Sequence, residues 1–67
     1  MSEGIARAIS SVGTATAIRM VGDLENVGEV LLARALEESR HGRSAVLQAL
    51  SKRQRELREA NDDLSGA

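Results

Sequence analysis

No proline interrupts this chain and no cysteine can cross-link it. Its fold therefore has to be held by side-chain packing, and helix is permitted almost anywhere along it. Ala, Leu, Arg and Glu, all good helix formers, are frequent throughout. The predicted class is all-α.

The 67 residues suffice for one domain. Phe, Tyr and Trp are absent, and the apolar complement is 8 Leu, 5 Val, 3 Ile, 2 Met and 10 Ala. A chain this short buries only about 60% of the surface it exposes when unfolded. Scaffolds of this size usually depend on a staple. With no disulfide to provide one, oligomerisation or a protein partner is the expected route. The formal net charge of −1 creates no bulk field for nucleic acid or an anionic membrane. The bias of 8 Arg to 1 Lys reads as coding preference without functional weight.

The longest uncharged run, Ala8 to Ile18, has 11 residues, against about 20 for a membrane-spanning helix. It carries Ser10, Ser11, Thr14 and Thr16, which make a poor signal-peptide core even though Ala15-Thr16-Ala17 resembles a cleavage site. The expectation is no membrane span and no signal peptide, hence a cytoplasmic protein or one exported by a signal-independent route. Lack of cysteine leaves the redox compartment open.

The clearest break is His41-Gly42-Arg43-Ser44. Arg40 and His41 are cations suited to a last helical turn, Gly42 suits a left-handed position beyond it, and Ser44 can cap the next helix. Upstream, Ala17, Met20, Leu24, Val27 and Leu31 step 3, 4, 3, 4 along one helix face, with Ile5, Ile9 and Val12 one residue out of phase before them. The reading is one long helix over about 3–41 or two helices kinked near Gly22 with Asp23 as a cap; the long helix is preferred. A turn over 42–44, a second helix over about 45–62 and a frayed tail over 63–67 complete a helical hairpin in a single domain. Leu50, Leu57 and Leu64 repeat every seven residues, a short coiled-coil seam with Val46 beside it.

Candidates for chemistry are few. Glu38 and His41 share a helix face with the i, i+3 spacing of carboxylate-bundle metal ligands. Glu37/His41 and Arg34/Glu38 are more simply read as surface pairs one helical turn apart, and Arg40 and Arg43 repel a cation. The expectation is therefore no metal and no cofactor. A single His and no Cys leave nucleophilic catalysis without a base in a pocket, and the glycines follow no phosphate-loop spacing. The chain is not expected to be an enzyme.

Lys52, Arg53, Arg55 and Arg58, with Arg40 and Arg43, form a possible set of anion contacts. Glu56, Glu59 and Asp62 stand four residues after Lys52, Arg55 and Arg58 and can neutralise them, so a solvated face is preferred to nucleic-acid binding. What remains is adhesion. The expected function is a non-enzymatic structural protein, a bundle or filament subunit that self-associates through Ile5, Ile9, Val12, Met20, Leu24, Val27 and Leu31 on the first helix and Val46, Leu47, Leu50 and Leu57 on the second. The alternative is a small adaptor or co-chaperone bound to a larger partner, with a minor DNA-binding regulator as the less favoured third reading.

Overall fold

A computed structural model describes the backbone of residues 3–65 and the side chains of residues 4–60. Four α-helices follow one another: α1 Glu3–Ala8, α2 Thr14–Val21, α3 Val27–Arg40 and α4 Ser44–Ser65, with a 3-10 segment, Ile9–Ser11, closing α1. The all-α expectation holds. The single helix preferred over 3–41 does not form, and the chain breaks twice within that span.

The first break lies in the hydroxyl-rich stretch. After the 3-10 segment Val12 turns extended, at φ −115° and ψ 169°, and Gly13 follows at φ −65° and ψ 163° as the residue capping α2. Ser and Thr compete for backbone groups and weaken a helix interior. Here Ser10 and Ser11 accept hydrogen bonds from the Arg40 guanidinium at 3.2 and 3.3 Å, and that tie holds the segment out of line with α1.

The second break covers Gly22 to Asn26. The residue that starts α3 is Asn26, not Asp23. Its Oδ1 accepts the Glu29 backbone N–H at 2.9 Å, and its own backbone is extended at φ −139° and ψ 157°. This is a side-chain N-cap with Glu at the third helical position. Leu24, in the loop between α2 and α3, points inward and is fully buried.

The turn after α3 matches the expectation. Gly42 takes φ +59°, the left-handed conformation that glycine adopts without strain, and the backbone N–H groups of His41 and Gly42 both donate to the Glu37 carbonyl. Ser44 is already helical, so Arg43 rather than Ser44 holds the cap position, with its carbonyl accepting the Leu47 N–H at 3.0 Å. The α4 helix reaches Ser65, beyond the expected end near 62; residues 66 and 67 of the expected frayed tail lie outside the described residues, as does the side chain of Leu64.

The most extensive packing is of α3 on α4; α2 also rests on α4, and α1 on α3. One core forms between them from Ala6, Ile9, Ala17, Val21, Leu24, Val30, Ala33, Val46 and Leu50. Three of these nine are alanines, so the helices approach closely and the apolar volume enclosed is small. No helix among the described residues is long and apolar enough to cross a membrane.

Candidate functional site

The most polar feature of the interior is Glu37. It lies on the same face of α3 as Val30 and Ala33, at spacings of seven and four residues, and that face is the one turned into the core. Its side chain is fully buried, which corrects the surface pairing with His41 expected from the sequence. An isolated carboxylate in such a place is strongly disfavoured. Arg43 resolves the conflict. The Gly42 turn brings it back over α3, where its Nε and Nη2 donate to the two Glu37 carboxylate oxygens, each at 2.9 Å, and its backbone N–H donates to one of them at 3.0 Å. The fork matches the carboxylate in the bidentate geometry that arginine supplies and lysine does not.

The guanidinium does not stop there. Nη1 donates to the Val12 carbonyl at 2.8 Å and Nη2 to the Ile9 carbonyl at 3.2 Å, with the Thr14 hydroxyl at 3.5 Å from Nη1. The Ile9 carbonyl lies in the 3-10 segment and the Val12 carbonyl just beyond it, where the backbone turns extended. Arg40 binds the Ser10 and Ser11 hydroxyls, and Arg53 of α4 donates from Nε to the Leu24 carbonyl at 2.9 Å. Three arginines therefore tie down the irregular segments of the N-terminal half from positions 29 to 34 residues away, Arg43 and Arg53 through backbone carbonyls and Arg40 through serine hydroxyls. The surplus of arginine over lysine, read as coding preference, has a structural use.

The pairing moves the Glu37 titration. The Arg43 side-chain hydrogen bonds hold its carboxyl at about 2, against an ordinary 4.5, helped by the Arg43 backbone N–H and the charges of Arg43 and His41, and opposed by burial. A carboxyl whose folded value is depressed stabilises the fold above its unfolded value and loses that stabilisation as the pH falls toward the folded value. The melting temperature, followed by far-UV circular dichroism, is expected to drop progressively from about pH 5 to about pH 2 in the native chain. The same window should be much flatter in Glu37→Gln, which starts lower. Parallel curves for the two proteins would show that Glu37 does not carry the acid sensitivity.

The other sequence-derived candidates separate into inside and outside. Ile9, Leu24, Val46 and Leu50, expected to join one chain to another, are fully buried in the chain's own core. Ile5, Val12, Met20, Leu47 and Leu57 are half-buried and pack against that core. Val27 is half-buried at the start of α3, and Leu31 is 46% exposed. Glu38 is exposed and bonded to Arg34 at 3.0 Å, the one expected surface pair that forms among the described residues. Among the described residues no three of His, Asp and Glu cluster as metal ligands would, around Glu38 and His41 or elsewhere. Of the six cations considered for anion contacts, Arg40, Arg43 and Arg53 are engaged within the fold, while Lys52, Arg55 and Arg58 are exposed on α4. Glu56 meets Arg53 at 3.6 Å in place of the expected Lys52, and the Asp62 side chain lies outside the described residues.

Two large apolar side chains are exposed among the described residues. Leu31 projects from α3, and Ile18, 41% exposed and not singled out from the sequence, stands at a shallow groove of about 200 Å³ between α2 and α4. Val21, Gly22 and Ala49 line that groove, and Lys52, Arg53 and Glu56 rim it. No family model, no curated protein and no solved structure matches this chain.

Proposed function

We propose that this chain is a non-enzymatic assembly protein that associates with copies of itself through an apolar helix face. The observation that carries the reading is Leu31. It is nearly half exposed on a helix whose opposite face, at Val30, Ala33 and Glu37, is fully buried. A helix apolar on two faces is characteristic of one covered on both. Of the carboxylates weighed as chemical candidates, Glu37 is paired with Arg43 and Glu38 with Arg34. The small core supports the same reading, since a domain of this size gains from additional burial.

The groove beside Ile18 favours a second reading, an adaptor that receives one apolar side chain of a larger partner between α2 and α4. Light scattering behind size exclusion, over a hundredfold range of concentration, separates the two. Self-association predicts a mass above the single-chain 7.1 kDa at the highest concentration, falling on dilution. A mass of 7.1 kDa at every concentration would remove the first reading and leave the groove.

A further inference from the structure

The outer surface of α3 carries a strip of apolar and small side chains. Gly28, Leu31, Ala35 and Ser39 are exposed, and half-buried Leu32 and Leu36 border them. At 100° per residue, Gly28, Leu31, Leu32, Ala35 and Ser39 fall within an arc of about 100°, the width of an apolar stripe that faces a core. Ala35 lies at its centre, with Gly28 seven residues before it. Side chains this small let a neighbouring helix approach to about 8 Å.

One edge of the strip identifies its cover. Arg34 and Glu38 stand there four residues apart, 43% and 56% exposed and 3.0 Å from each other. A two-fold axis perpendicular to α3 at the level of Leu36, midway between them, sets Arg34 of each copy against Glu38 of the other and keeps matching edges together. A parallel pair instead sets this edge against the Leu36 edge and leaves both charges facing an aliphatic side chain. The strip is thus self-complementary in charge only when antiparallel.

We infer that two copies of this chain pair antiparallel through the outer face of α3, with Ala35 close to the two-fold axis and Arg34 and Glu38 forming a four-charge cluster across it. The inference rests on the self-association proposed above and names its surface. A helix of 14 residues is about 21 Å long, so a contact confined to it falls below the roughly 1,200 Å² of standard interfaces and makes a weak dimer that dilution dissociates.

Ala35→Cys tests the axis, because the chain has no cysteine of its own. Mild oxidation should link Ala35→Cys chains as dimers. Leu31→Asp should raise the dimer dissociation constant at least about tenfold while helicity is retained, since Leu31 is outside the core. Glu38→Arg should weaken the dimer, and Arg34→Glu/Glu38→Arg should restore it. Oligomers that persist in Leu31→Asp without linking through Ala35→Cys would overturn the α3 surface and leave self-association standing. A native chain that stays monomeric at every concentration would overturn both.

Discussion

Arg43→Leu is expected to lower stability by about 3–5 kcal/mol, the usual cost of leaving a buried charge without its partner. A domain of 67 residues has on the order of 3–10 kcal/mol in total, so the variant should be largely unfolded or close to it at room temperature. In thermal melts followed by circular dichroism the midpoint should fall by at least about 12 °C. Two companions give the number its meaning. Arg43→Lys keeps the charge but cannot reach both carboxylate oxygens and the Ile9 and Val12 carbonyls together, so it should fall between native and Leu. Glu37→Leu/Arg43→Leu removes the stranded carboxylate and should recover part of the loss. Recovery should be incomplete, because the Ile9 and Val12 carbonyls lose the hydrogen bonds that Arg43 donates at 3.2 and 2.8 Å. An Arg43→Leu midpoint within a few degrees of native would mean that the guanidinium holds nothing that packing does not already hold.

Leu50→Asp should abolish the fold outright. Leu50 is fully buried at the centre of the α4 contact surface. Removing a buried leucine side chain costs about 2–5 kcal/mol, and an unpaired carboxylate in its place adds several more. Together these match or exceed the expected stability. The far-UV circular dichroism should lose most of its helical signal at all temperatures, and a variant that remains helical and melts cooperatively would show that the core is centred elsewhere. The contrast with Leu31→Asp, expected to stay folded, is informative. A charge placed on the Leu50 side of the apolar pattern destroys the chain before it can report on assembly. A charge placed on the outer face of α3 reports on assembly alone.

The sequence made the class, the Gly42 turn and the existence of a helix after it legible, because each rests on local chemistry: propensity, a left-handed glycine, and an unbroken run without proline; α4 nevertheless runs to Ser65, past the expected end. It concealed the breaks upstream. The steps from Ala17 through Met20, Leu24 and Val27 to Leu31 look like one helix face, yet Leu24 belongs to a loop and reaches the core from there. Spacing alone cannot tell a helical seam from two helices whose connecting loop contributes an inward side chain. The Asn26 cap had a readable signal, Asn followed three residues later by Glu29, which the apolar steps running through it masked. Glu37 was hidden for a different reason. Its partner is six residues away across a turn, outside the three- and four-residue spacings by which helical pairs are recognised.

The three arginine bridges also bear on the order in which the molecule comes together and apart. The pairing of α3 with α4 spans a short connection and closes early at little entropic cost. Residues 3 to 24, by contrast, are fastened to it by apolar contact and by guanidinium groups that reach backward about 30 positions, with no disulfide across the contact. Such a segment is expected to detach as a cooperative unit before the two long helices separate. In hydrogen exchange, its amides should open at a free energy below the global one, and those of α3 and α4 that face the core should exchange last. The weakest seam of the fold is therefore expected where residues 3–24 meet the α3–α4 pair, at a boundary drawn by arginine.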